Sequence, residues 1–195
     1  MKFLLFDLGG VLIDMPGVAK MIEWTGLDER TCWKQWMEST AIAQFESGKL
    51  DQNAFAHAVI ETFHLPVTAQ QFLIEFATWP AGFYPGATAF LQNLRRTHRI
   101  GCLTNINAIH WQRAVDEWKV YNYFDFCLAS HEIGLVKPDG RIFAHAAKTI
   151  GVAPGEILFF DDNLANVRAA ADCGLISHQV RGLAELEALV QKLIS

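Results

Sequence analysis

The apolar run Phe3-Leu4-Leu5-Phe6 ends in Asp7 and opens at once onto Leu8-Gly9-Gly10-Val11. Consecutive apolar residues without alternation read as a strand buried on both faces, the habit of a parallel sheet. A carboxylate ending such a strand sits at the edge where α/β sheets bind ligands. The glycines allow a sharp turn and bring backbone N–H groups close to a ligand. Alone, Asp7 is equally well explained as a turn residue or a helix N-cap. The constraint comes from three further segments that repeat the arrangement.

Thr104-Asn105 follows a short apolar strand at 99–103, and a hydroxyl and an amide there can both hydrogen-bond an oxyanion. Lys137-Pro138 lies between a strand at 124–129 and a helix at 141–150; Pro138 favours an extended backbone at Lys137, which could neutralise a bound anion. Asp161-Asp162 follows a strand at 157–160, with Asn163 and Asn166 just beyond. Two adjacent carboxylates after a buried strand repel one another unless a cation binds, and hard oxygen donors favour Mg²⁺. Each segment has a bland explanation: an ST- or Asx-turn, a solvated lysine, an N-cap. Together they supply a nucleophile, a hydroxyl and amide clamp, a cation and an acidic metal site at one sheet edge. That set suits phosphoryl transfer through an aspartyl-phosphate.

The rest of the chain supports an α/β fold. From residue 84 onward helices at 85–96, 109–119, 141–150, 164–173 and 183–193 alternate with strands at 99–104, 124–129, 156–160 and 176–180. This rhythm implies a parallel sheet covered on both faces. Between 16 and 80 the strand signals vanish and five amphipathic helices are expected, at 17–25, 29–38, 41–46, 52–63 and 69–78. Asp51 and Thr68 are placed as N-caps for the last two. The expected organisation is a core of 1–15 and 81–195 interrupted by a helical block at 16–80. Trp24, Trp33, Trp36 and Trp79 are expected to pack that block, with some reaching the substrate cavity.

Net charge is −5, from 16 basic and 21 acidic residues without a basic run. This argues against nucleic acid or an anionic membrane as partner, and requires a local cation for an anionic substrate. Cys32, Cys102, Cys127 and Cys173 form no CxxC pair, so free thiols in a reducing cytoplasm are expected and zinc is not. No apolar stretch is long enough for a membrane span, and Asp7 breaks the apolar start before it resembles a signal peptide.

Phe6-Asp7-Leu8-Gly9-Gly10-Val11-Leu12, Leu103-Thr104-Asn105, Lys137-Pro138-Asp139 and Phe160-Asp161-Asp162-Asn163 resemble, in order and spacing, the four motifs of the haloacid dehalogenase superfamily. The block at 16–80 sits where that superfamily places its type-1 helical cap. Phe45-Glu46-Ser47-Gly48, with Leu50-Asp51 and Phe55, is similar to the cap of a bacterial branch that includes α-D-glucose-1-phosphate phosphatases. The resemblance implies a Rossmann-like core, attack by Asp7, and Mg²⁺ held by Asp7, the Gly9 carbonyl and Asp162, with Asp161 bound directly or through water. It further implies that Thr104, Asn105, Lys137 and the turn amides of Leu8, Gly9 and Gly10 hold the phosphoryl group, with Glu46 contributing from the cap. The expected substrate is a small phosphorylated metabolite, a sugar 1-phosphate above others, and the expected state is a monomer or homodimer.

One departure stands out. Phosphatases of this superfamily usually carry a second Asp two residues after the nucleophile, as acid for the leaving group; here that position is Gly9. Either another group protonates the leaving oxygen, with Asp14, Glu46, His110 and His131 as candidates, or the leaving group needs little help, as at an anomeric carbon. Cleavage of C–X or C–P bonds, and a catalytically silent binding protein, are the rival readings.

Overall fold

The structure, a computed structural model, describes residues 2–194. Its strands are β1 (Phe3–Phe6), β2 (Ile13–Asp14), β3 (Gly82–Phe83), β4 (Ile100–Thr104), β5 (Phe126–Ala129), β6 (Ile157–Asp161) and β7 (Ile176–Gln179). Five of them form a parallel sheet in the order β5-β4-β1-β6-β7. The sheet is α/β and Rossmann-like, with β1 at its centre.

Side-chain alternation along β1 explains the layering. Leu4 and Phe6 point into one apolar cluster, Phe3 and Leu5 into the other. The first cluster is closed by α6 (Ala87–Arg95), α7 (Ala108–Asp116) and α11 (Gly182–Ile194), through Leu91, Trp111 and Leu186. The second is closed by α9 (Gly140–Ile150) and α10 (Leu164–Asp172), through Ile142, Phe143 and Ala170. A short α8 (Ser130–Ile133) follows β5 directly.

Between β2 and β3 run α1 (Val18–Thr25), α2 (Glu29–Glu38), α3 (Thr40–Glu46), α4 (Gln52–Phe63) and α5 (Ala69–Ala77). They close over an aromatic cluster of their own, in which Phe45 and Phe55 stack at 4.1 Å. The Asp51 side chain accepts from the N–H groups of Asn53 and Ala54, and Thr68 forms a capping box with Gln71. Such caps satisfy N–H groups that a helix start otherwise leaves unpaired.

Two departures from sequence matter. The antiparallel pair β2–β3, with Ile13 opposite Phe83 and Asp14 opposite Gly82, joins the two ends of the helical block. Two-residue strands carry no periodicity, so no pattern announced them. The other is Asp161, which is the last residue of β6 rather than the first beyond it, and is fully buried.

Candidate active site

The turn after β1 is built by its own backbone. The Asp7 N–H donates to the Phe160 carbonyl (2.8 Å), extending the β1–β6 pairing to the site edge. The Leu8 carbonyl accepts from Leu12 and Ile13 at 2.8 and 2.7 Å, which closes the loop. Gly10 has φ +69°, and a Cβ there would lie 2.6 Å from Asp162 Oδ2. Glycine is therefore required twice over at Gly10, by conformation and by close approach. Gly9 has no such need, since a Cβ there meets only Met15 Cγ, at 3.4 Å.

The same turn corrects the expected anion cradle. The Leu8 N–H donates to Asp7 Oδ1 (2.7 Å) and the Gly10 N–H to the Ile13 carbonyl (2.9 Å). Both amides are spent on holding the loop. Of the three turn amides, only that of Gly9 lacks a partner within the protein.

Lys137 is buried and its Nζ bridges Asp7 Oδ2 (2.9 Å) and Asp161 Oδ2 (2.6 Å). Asn105 holds the lysine in place: its Nδ2 donates to the Lys137 carbonyl (2.9 Å) and its Oδ1 accepts from the Lys137 N–H (2.8 Å). The Asn105 side chain thus clamps the lysine loop with its Oδ1 and one N–H of its amide, which leaves a single amide N–H for an oxyanion. Asp161 is saturated: Oδ1 accepts from the Asn163 N–H (2.8 Å) and Asn166 Nδ2 (3.0 Å), and Oδ2 from Lys137. The half-buried Asp162 carboxylate has no hydrogen-bond partner on any other residue and lies against Gly10.

The charges do not balance. Carboxylate oxygens of Asp7, Asp161 and Asp162 lie within 4.8 Å of one another, facing one ammonium. Burial pushes Asp7 up to about 7; Lys137 opposes that, while Asp161 and Asp162 add to it. Asp162 is also raised, by burial first and then by Asp161. Burial alone would depress Lys137, but Asp161 and Asp7 outweigh it and raise the lysine. Truncating Lys137 to methionine is expected to cost about 3–5 kcal/mol, because two buried carboxylates lose their counter-charge. Urea denaturation of metal-free protein at pH 7 measures this, and an unchanged midpoint would contradict it.

Beside the turn after β1 lies a cavity of about 160 Å³, bounded by Leu8, Gly9, Thr104 and residues of the helical block. The buried Thr104 hydroxyl makes no hydrogen bond within the protein and faces this space. Glu46, the last residue of α3, also lines it. Its carboxyl has no hydrogen-bond partner, and burial pushes it up to about 7 against the attraction of Lys137.

The structure separates the four candidate acids. Asp14 is exposed on β2, paired with Gly82. His110 is buried: its Nε2 donates to the Phe76 carbonyl (2.7 Å), its Nδ1 accepts from Asn107 Nδ2 (3.2 Å), and burial lowers it to about 4. It is neutral and its one proton is engaged. The His131 Nδ1 is 3.1 Å from the Ile106 carbonyl, away from the cavity wall. Glu46 alone combines a place on the wall with an unengaged carboxyl. Ser130 was missed in the sequence: its hydroxyl donates to the Glu46 carbonyl (2.6 Å) and accepts from the Ile106 N–H (2.8 Å). Its position directly after β5, matching that of Asp7 after β1, was the available signal.

The sequence profile of the haloacid dehalogenase-like hydrolases matches residues 1–174. The chain belongs to that family. Among curated relatives of this haloacid dehalogenase-like hydrolase, a sesquiterpene phosphatase of Aspergillus oryzae is 29% identical over 179 residues, covering 90% of the chain and 87% of the relative. A phosphoglycolate phosphatase of Nitrosococcus oceani is 26% identical over 184 residues, covering 87% and 79%. A haloacid dehalogenase family enzyme of Bacteroides thetaiotaomicron, solved with magnesium and inorganic phosphate, superposes with a TM-score of 0.76 at 24% identity, covering 93% and 94%. That likeness carries the fold.

Proposed function

We propose that this hydrolase is a Mg²⁺-dependent phosphatase of small phosphorylated metabolites that works through a phosphorylated Asp7. The observation that carries the reading is the crowding of Asp7, Asp161 and Asp162 around the single ammonium of Lys137. A nucleophile so placed needs a cation to ionise, and a phosphoryl group needs one to approach it. The phosphatase names among the relatives agree.

The donor set fits Mg²⁺. All three carboxylates are hard oxygen ligands, Asp162 has no partner on another residue, and the Gly9 carbonyl accepts no hydrogen bond. Asp7, Asp162 and the Gly9 carbonyl would hold the ion, with Asp161 outside because its oxygens are already occupied. When bound, Mg²⁺ supplies neutralising charge for the phosphoryl oxygens.

Asp7 attacks phosphorus through one carboxylate oxygen while Lys137, the Thr104 hydroxyl and the Gly9 N–H hold the phosphoryl oxygens. The P–O bond to the alcohol breaks, and Glu46 gives its proton to the departing oxygen. Water then attacks the aspartyl-phosphate, returns a proton to Glu46 and releases phosphate. The block at 16–80 serves as a cap on the core of 1–15 and 81–195, and the four free thiols fit a reducing cytoplasm. The resemblance around Phe45 and the lack of a proton donor at Gly9 both favour a sugar 1-phosphate; with Glu46 as acid the second ground falls away.

A panel of phosphorylated metabolites assayed with and without Mg²⁺ tests the reading, and turnover undiminished in EDTA would refute it. Glu46 acts only while protonated, so its contribution is present below pH 7 and fades as pH rises through about 7. Glu46→Gln is expected to slow alkyl phosphates by about 10²–10⁴-fold. It should also erase that part of the kcat/KM–pH profile and spare p-nitrophenyl phosphate, whose leaving group needs no proton. Parallel profiles for the two proteins would clear Glu46 of the role.

A further inference from the structure

We infer that the alcohol half of the substrate is a hydrophobic group, an aryl ring or a branched or linear alkyl chain, so that the enzyme cleaves phosphate monoesters of apolar alcohols. This rests on the phosphatase reading and specifies its substrate class.

The wall of the cavity beyond the phosphoryl site is made by Met15, Met21, Trp33, Trp36, Met37 and Trp79. Of its polar neighbours, the buried Trp79 Nε1–H is a donor without a partner, and the acceptors are occupied elsewhere. Asn105 is clamped to the Lys137 backbone, and Asn107 and His110 bond each other and the Phe76 carbonyl. Among the described residues lining the space, the side-chain oxygens without an internal partner are those of Thr104 and Glu46. Both are already assigned, to a phosphoryl oxygen and to the leaving oxygen. A sugar would bring several hydroxyls to a wall with no acceptors left for them, and buried hydroxyls without partners are strongly disfavoured.

The mouth tells the same story. Trp33 and Met37, one turn apart on α2, are 38% and 60% exposed, although each is large and apolar. Exposed apolar groups at the rim of an apolar cavity mark a ligand-binding surface. Thioethers adapt to chains of different shape, which suits a wall with three methionines. The cavity of about 160 Å³ is close to the roughly 150 Å³ that admits a benzene molecule. A phenyl ring or about five to eight carbons would fill it and reach the mouth.

The test is a graded series, ethyl to hexyl phosphate and benzyl phosphate, beside glucose 1-phosphate and glucose 6-phosphate, all with Mg²⁺. The expected result is a kcat/KM that climbs about fourfold per methylene, with benzyl phosphate at least about 100-fold above either sugar phosphate. Met37→Glu should flatten the climb for the longer chains. A flat series, or a preference for a sugar phosphate, overturns the inference while leaving the phosphatase reading standing. Binding of the uncleavable alkylphosphonates by calorimetry keeps the two separate. Affinity that grows with chain length supports the apolar wall even if no ester is turned over, and affinity indifferent to chain length refutes it.

Discussion

Asp7→Asn is expected to lower kcat by about 10⁴-fold or more, since loss of a covalent nucleophile removes the whole two-step route. The substitution is nearly isosteric, and Lys137 keeps its 2.6 Å partner Asp161. The fold should therefore survive. Stability of the metal-free protein at pH 7 should hold or rise, because one of three mutually repelling carboxylates becomes neutral. Thermal unfolding and single-turnover kinetics check both halves. Residual turnover within tenfold of wild type would remove Asp7 from the mechanism. A collapse of Tm would instead show that the carboxylate is structural.

Removing Mg²⁺ is the second large effect. Turnover should stop in EDTA and return on adding the ion. At a concentration about 100 times its Kd, Mg²⁺ stabilises the folded state by about 2.7 kcal/mol. For a chain of this size that is a rise in Tm of roughly 5–10 °C. Asp162→Ala should abolish most of the rise, since Asp162 is the carboxylate without a partner on another residue. Asp161→Asn should behave differently, destabilising the protein with or without metal, because Asp161 anchors Lys137, Asn163 and Asn166. Equal loss of metal response in the two variants would show that Asp161 is itself a ligand.

The central features were legible because they rest on long-range pattern. Apolar runs at strand length, each ending in a polar residue, gave β1, β4 and β6 and placed Asp7, Thr104 and Asp161 near one edge. What escaped was how polar groups divide their hydrogen bonds. Asn105 could equally hold an oxyanion or a backbone, and only the position of the Lys137 loop decides it. No pattern in the sequence tells that Gly10 is pressed against Asp162 while Gly9 faces the side chain of Met15. Glu46 lies some forty residues from Asp7 on a different element, so no local spacing links them. Which of the tryptophans reach the cavity was not legible, for a related reason. The tryptophans and methionines that line it sit in amphipathic patterns that also pack the helices, as Trp36 does against Phe55, Phe63 and Phe76.

The central place of β1 has a consequence for the chain during its synthesis. Leu4 pairs with Ile100 and Phe3 with Ile157, so both edges of the strand that leads to Asp7 wait for partners made much later. At about 5–20 residues per second, the interval before β6 emerges is roughly 8–30 s. Until β4 emerges, Phe3-Leu4-Leu5-Phe6 is an apolar segment with two unpaired edges, and one edge stays open until β6 follows, the kind of segment that recruits other chains. The helical block closes over its own aromatic cluster and can form meanwhile. The helical block can thus form before the sheet it interrupts, and the strand at the centre of that sheet is completed only after residues far along the chain have been made.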